Sequence, residues 1–317
     1  MFSLYPVRPA LPARFRRPRV LIVGCGDVGT RLARLLVAPA AHGPRARVLV
    51  RDPAQVPALR ALGVTPLQGD LDRPASLRRL AGLAQWVVHL APPPSHGDNR
   101  DARTRALVAA LRRHGAPSHW VYGSTSGVYG DRQGQWTPET TPLQPLTARA
   151  RRRVDAEQVL QRWARQALQA PAMQILRIPG IYAPDREGGT PRSRLERGTP
   201  VLCADEDVYT NHIHADDLAR ACRIALWRGR SLRTYNANDD SVSTMGAYFD
   251  MAADLYGLPR PPRITLEQAR EQLSAVSLSF MQESRRLDNT RIHRELRLAW
   301  HHPTPAEGLR TVQSSAC

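Results

Sequence analysis

Residues 19–37 hold the feature that most restricts the fold of this chain. The apolar run Val20-Leu21-Ile22-Val23 ends at Gly24-Cys25-Gly26-Asp27-Val28-Gly29, and an amphipathic stretch follows at once. A short continuous apolar run bounded by glycine is the pattern of a strand buried on both faces. From Val28 to Val37, residues Val28, Leu32, Leu35 and Leu36 recur on one helical face. Glycines spaced G-x-G-x-x-G between a strand and a helix have separate tasks. Gly24 permits the tight turn, Gly26 lets the backbone approach a pyrophosphate, and Gly29 allows close helix–strand packing. The helix start adds free N–H groups and its dipole. The turn therefore predicts a dinucleotide site on a parallel sheet.

The rest of the chain repeats the alternation. Further strands are expected at 47–50, 64–67, 86–90, 119–122 and 174–177, with helices at 53–62, 74–83, 101–113 and 148–168 between them. That pattern implies an α/β fold, a Rossmann-type doubly wound parallel sheet. After Ile178 the alternation loosens into a Pro- and Gly-rich stretch, then helices at 216–227, 245–256 and 266–273 and a strand at 234–237. The expected division is a disordered extension at 1–18, an NAD(P)-binding domain at 19–180, and a smaller C-terminal substrate lobe at 181–317. Part of 230–240 returns to the sheet.

The residue ending the second strand selects the cofactor. An acid there bonds the ribose 2′-hydroxyl of NAD, whereas an arginine accommodates the 2′-phosphate of NADP. The chain reads Val50-Arg51-Asp52. Arg51 comes first, so NADP is favoured, with NAD left open by Asp52. After the third strand, Asp70 in Gly69-Asp70-Leu71 either meets the adenine edge or caps the following helix.

Composition narrows the remaining classes. The net charge is +17, and all 45 basic residues are arginines. They are scattered rather than gathered on a binding module, which argues against nucleic acid and for anionic small ligands. No apolar run approaches the roughly 20 residues of a membrane span. Cys25, Cys203, Cys222 and Cys317 lack metal or disulfide spacing, the usage of a reducing cytoplasm. The acid-free, arginine-rich start has the composition of a transit peptide, but its prolines break an amphipathic helix, so an extension is preferred.

Several later segments follow the glycine turn in order. They are Val87-Val88-His89-Leu90-Ala91, Gly123-Ser124-Thr125-Ser126-Gly127-Val128-Tyr129-Gly130, Glu139-Thr140-Thr141-Pro142, Arg177-Ile178-Pro179-Gly180-Ile181-Tyr182 and His212-Ile213-His214-Ala215-Asp216-Asp217. Over residues 19–240 this series resembles the extended short-chain dehydrogenase/reductase superfamily, the NAD-dependent epimerase/dehydratase type. The resemblance implies cofactor contacts from Asp27, Val28, Asp70, Leu71, Leu90, Ala91 and Pro179 as well as the glycines. It also implies a tyrosine acid–base, a lysine four residues later that lowers its pKa, and a Ser/Thr hydroxyl on the substrate oxygen.

The hydroxyl position falls on Thr125, beside Ser124. The tyrosine and lysine positions hold Arg149 and Arg153, so the chain is similar to the atypical branch lacking the Tyr–Lys pair. Arginine supplies charge but exchanges no proton near neutrality. The two lie one turn apart and either clamp an anion or belong to a solvated arginine stripe. Tyr182, leading into the lobe, is the candidate replacement acid–base, with a packing role as the alternative. His89, ending a strand, is expected to face the core.

His212-x-His214-x-Asp216 has alternate spacing but no further ligand placed beside it, so no metal is expected. The helices 101–113 and 148–168 are a candidate homodimer interface, as in the family. The expected function is that of an NAD(P)-linked oxidoreductase or epimerase/dehydratase-like enzyme on a small metabolite or sugar nucleotide. A catalytically silent NADP(H)-binding redox sensor is the alternative.

Overall fold

The computed structural model describes residues 17–38, 43–167 and 171–310. Its centre is a sheet of seven strands: β1 (Arg19–Val23), β2 (Arg45–Val50), β3 (Thr65–Gln68), β4 (Trp86–His89), β5 (His119–Thr125), β6 (Ala172–Ile178) and β7 (Arg233–Asn236). Their order is β3-β2-β1-β4-β5-β6-β7, and every neighbouring pair is parallel. The winding direction reverses between β1 and β4, so their carboxyl ends open a crevice there. Val20, Leu21, Ile22 and Val23 are fully buried, which explains why β1 has no polar face.

Helices cover both sides. α1 (Asp27–Val37) and α4 (Ala215–Arg228) share one apolar cluster with the sheet. α2 (Ala102–Leu111) and α3 (Ala148–Gln166) build the other with Leu77, Leu80 and Trp120. Two expected helices are tighter than an α-helix, one in its first turn and one throughout. The stretch at 53–62 opens with the 3₁₀ turn Pro53–Gln55 before the short helix Val56–Ala61, and Pro74–Leu80 is 3₁₀ throughout. Its buried residues, Leu77 and Leu80, are three apart, the spacing that keeps side chains on one 3₁₀ face.

Beyond residue 180 a second core forms around Tyr182, Val201, Leu202, Phe249 and Met281, with α5 (Met245–Tyr256) as its main helix. α4, β7 and the residues Ile292, Leu296, Leu298 and Trp300 pack instead with the sheet. Strands of two or three residues stitch the parts together: Gly180–Tyr182 with His212–His214, and Trp136–Thr137 with Arg286–Leu287. They are too short to leave a periodic signal in sequence. Among the described residues, no helix is long and apolar enough to cross a membrane. The extension expected at 1–18 lies, apart from Arg17 and Pro18, outside the described residues, and so does Cys317. Cys25, Cys203 and Cys222 are free thiols.

Candidate functional site

The glycine turn sits at the sheet's reversal point. Leu90 and Ala91 both donate their amides to the Val23 carbonyl, at 2.7 and 3.0 Å, so the end of β4 crowds against Gly24. Gly24 has φ +94°, and a Cβ there would lie 2.7 Å from the Ala91 Cα. On Gly29 it would run into the Gly24 carbonyl. Gly26 differs, since nothing lies within 4 Å of where its Cβ would stand. Gly26 is also the N-cap of α1 and supplies no side-chain cap, so the helix's first amides face this open space. Beside it, Asp27 Oδ2 is buried without a hydrogen-bond partner. An open cradle at a helix start fits a dinucleotide pyrophosphate.

The cradle continues into a cavity of about 850 Å³ between the sheet and the lobe. Gly24, Gly26, Asp27, Val28 and Gly29 line it from one side, and Leu90, Ser124, Thr125 and Pro179 from the strand ends. Arg149, Arg153 and Tyr182 also reach it. Ala91 lies beneath Gly24. Arg51, Asp70 and Leu71 follow the ends of β2 and β3 on the same edge. Arg51 is exposed, while Asp52 caps the next turn by accepting the Ala54 amide at 2.9 Å. Asp70 folds a turn on itself, accepting the Asp72 amide at 3.0 Å.

The three candidate hydroxyls, Thr125, Ser124 and Tyr182, are held differently. Thr125 Oγ1 accepts the Gly127 amide at 3.3 Å, a bond that leaves its own proton uncommitted. Ser124 is buried and donates to Glu157 Oε1 at 2.5 Å. Tyr182 donates to the Thr304 carbonyl at 3.1 Å, and burial, with Asp239 next, raises its pKa well above the ordinary phenol value. His89 lies in the core, with Nε2 2.9 Å from Thr104 Oγ1, and burial pushes it down to about 3.

α3 distributes its run of arginines among three environments. Arg151 is exposed. Arg152 is buried and donates to the carbonyls of Pro94, Ser95, Gly97 and Asp98, at 2.7–3.2 Å, pinning the loop after β4. Arg153 turns the other way, toward the Gly123 carbonyl at 2.6 Å and the Tyr122 hydroxyl at 3.1 Å. Arg149 extends along the cavity wall over the Phe280 ring.

Sequence patterns did not single out the lobe's contribution. Arg186, Arg194 and Arg285 line the same cavity. Arg194 lies 4.5 Å over the Phe249 ring, and burial, then Arg197, lowers its pKa. Arg285 donates to Glu283 at 2.7 Å and to the Gly130 carbonyl at 2.9 Å. Below the floor, Arg177 pairs with Glu157 at 2.8 Å and donates to the Tyr129 hydroxyl at 2.9 Å. Tyr129 passes the chain to Asn236 at 2.7 Å. Burial raises the Tyr129 phenol to about 12, making it a structural hydroxyl.

A sequence model of the NAD dependent epimerase/dehydratase family matches residues 20–237. No curated protein matches the sequence. Among solved structures, a conserved protein of unknown function from Silicibacter pomeroyi is 30% identical, with TM-score 0.72 over 94% of this chain and 99% of that one. The UDP-glucose 4-epimerase of Thermotoga maritima, solved with UDP-glucose, is 18% identical, with TM-score 0.73 over 92% and 96%. The UDP-glucuronic acid 4-epimerase of Bacillus cereus, solved with NAD, is 17% identical, with TM-score 0.70 over 92% and 96%. The last two are similar in fold.

Proposed function

The chain belongs to the NAD dependent epimerase/dehydratase family, and we propose that it is an oxidoreductase or epimerase acting on a small anionic substrate of the sugar-nucleotide kind. The observation that carries this reading is the charge of the cavity. Five arginines line it, against Asp27 and Glu283. Both carboxylates are already paired, Asp27 with Arg31 and Glu283 with Arg285. Arg194 in particular is a half-buried cation on an aromatic face, and an entering phosphate or carboxylate would compensate it.

A nicotinamide dinucleotide bound on the glycine cradle supplies hydride donor or acceptor chemistry. The chain's own residues then have separable tasks. Thr125 donates a hydrogen bond from its free hydroxyl to the substrate oxygen. Arg149 and Arg153 hold positive charge along the same wall and stabilise negative charge developing on that oxygen, while water provides the proton that arginine cannot. Ser124 and Tyr182 act as positioning residues, because their hydroxyls are committed to Glu157 and to the Thr304 carbonyl. NADP is preferred over NAD, since Arg51 is exposed at the end of β2 while Asp52 is occupied by its own turn.

The test is incubation with NADPH or NADH, and with the oxidised cofactors, against a panel of carbonyl compounds and nucleotide sugars, following both net cofactor oxidation or reduction and formation of the epimeric sugar. Turnover is expected, with kcat reduced on the order of 10²-fold in Thr125→Val and KM raised at least tenfold in Arg194→Gln. Arg51→Ala should erase the preference for NADPH. Tight nucleotide binding with no turnover on any substrate would favour the alternative, a redox-sensing binding protein. The arginines at the Tyr and Lys positions are the observation that keeps this alternative open.

A further inference from the structure

The turn that follows Tyr182 carries an arginine back over the glycine cradle. Residues 183–189 close on themselves. The Ala183 amide donates to the Gly189 carbonyl at 3.1 Å, the Arg186 amide to the Ala183 carbonyl at 3.2 Å, and the Gly189 amide to the Arg186 carbonyl at 2.9 Å. A Cβ on Gly189 would stand 2.7 Å from the Arg186 Cβ, so glycine is what lets the turn close. The turn is also latched to the glycine helix. Arg31, buried on α1, donates to Asp185 and to Asp216 at 2.6 Å each and to Asp27 at 3.0 Å. One guanidinium thereby joins the turn, the start of α4 and the start of α1, and the place of Arg186 is set before any ligand arrives.

The Arg186 side chain points at the cradle. Its Nε lies 3.7 Å from Asp27 Oδ2, the buried oxygen without a hydrogen-bond partner. Its guanidinium donates from Nη1 to the Ile181 carbonyl at 2.8 Å, and Nε and Nη2 have no acceptor among the described residues. Arg186, Gly188 and Gly189 line the cavity together with Gly24, Gly26 and Asp27. A planar cation with unused N–H groups thus borders the same space as the first amides of α1.

We infer that Arg186 binds the pyrophosphate of the dinucleotide from the lobe side, across from the helix start, an inference that rests on the NAD(P)-dependent reading of the chain. The helix start offers N–H groups to an anion, but Asp27 sets a carboxylate beside it. Arg31 engages only Oδ1 of that carboxylate, so Oδ2 would repel an incoming phosphate without a second cation. Arg186 supplies that cation, and its fork of N–H groups matches two phosphate oxygens. Arg31 and Asp185 are positioning residues, since they hold the turn and not the ligand. The lobe therefore completes the cofactor site as well as the substrate cavity. Nothing in the sequence ties Arg186 to the glycine turn, because the latch forms only in the fold.

The test is fluorescence titration of the full-length chain with NADPH, with calorimetric titration by ADP and by UDP. Arg186→Gln should weaken both NADPH and ADP by roughly tenfold or more, with the Tm of the unliganded chain unchanged. Arg186→Lys, which keeps the charge but not the fork, should recover part of the loss. Asp185→Asn should weaken NADPH less than Arg186→Gln does, because it loosens only the latch. Arg192→Gln, on the lobe surface beside Glu196, should bind like the parent. Equal NADPH affinity in the parent and Arg186→Gln would overturn the inference alone. So would a loss confined to UDP, which would put the arginine on the substrate. A parent that binds neither NADPH nor NADH would overturn the cofactor reading along with it.

Discussion

Asp239 is buried against Ser241, whose amide and hydroxyl it engages through Oδ1 at 3.1 and 2.5 Å, while Oδ2 has no hydrogen-bond partner. Burial raises its carboxyl from 3.8 to about 8, Asp240 and Asp217 adding to the rise. A carboxyl raised on folding contributes its stability below the unfolded value and loses it as pH climbs through the folded one. The loss therefore runs from about pH 4 to pH 8. Asp239→Asn keeps the acceptor for Ser241 and removes the charge. It should be more stable than the parent at pH 8 by on the order of 2 kcal/mol, with no gain at pH 4. Urea unfolding at pH 4, 6 and 8 checks this, and a pH-independent difference would refute it. Gly24 is limited by space and backbone together. Gly24→Ala would force φ +94° on a residue with a Cβ pressed against Ala91. Its dinucleotide affinity, measured by NADPH fluorescence, should fall at least tenfold, and its Tm should fall too.

α3 carries the site's floor on one face and its cavity wall on another. Glu157, 1% exposed, receives Ser124 and Arg177, and Arg177 continues to Tyr129 and Asn236. Glu157→Gln would leave a buried guanidinium uncompensated and should cost about 3–5 kcal/mol. Measured by denaturant unfolding, a loss under about 1 kcal/mol would mean that water or another group neutralises Arg177. The apolar stripe of α3 and the run 148–153 are visible in the sequence, and so is the strand–glycine–helix turn, because all its determinants fall within a few residues. The tasks of Arg152 and Glu157 are not visible. Arg152 answers to carbonyls 54–58 residues away, and Glu157 to partners 20 and 33 residues away. Arg186 and Arg285 come from irregular stretches of the lobe and Arg194 from the five-residue helix Arg192–Glu196, and segments this short leave no period to read.

The net charge of +17 also bears on how copies of this chain meet. A homodimer through α2 and α3 would place their outer faces together. Those faces expose Arg151, Arg162 and Arg165 on α3 and Arg112 and Arg113 just past α2. Arg105 is the exception, since Asp155 pairs it at 2.5 Å. Among the described residues, the exposed large apolar side chains lie elsewhere, at Trp136, Leu146, Trp227, Leu232, Val242 and Phe280. Around Arg162 and Arg165 the surface of α3 holds a polar depression of about 210 Å³, lined otherwise by Gln158, Gln161 and Gln166. Bringing two such faces together therefore sets like charges opposite one another, with none of the exposed large apolar side chains of the described residues between them. Screening would weaken that repulsion, as the Debye length falls from about 10 Å at 0.1 M salt to about 3 Å at 1 M. Sedimentation velocity should accordingly find monomer at 50 mM NaCl and a dimer fraction that grows toward 1 M. The double variant Arg162→Glu/Arg165→Glu should associate already at low salt, in mixture with the parent more than alone, because opposite charges then face each other. A parent dimer that is strongest at 50 mM and dissociates with salt would contradict the argument from charge. Monomer under every condition, the mixture included, would remove α2 and α3 as an interface.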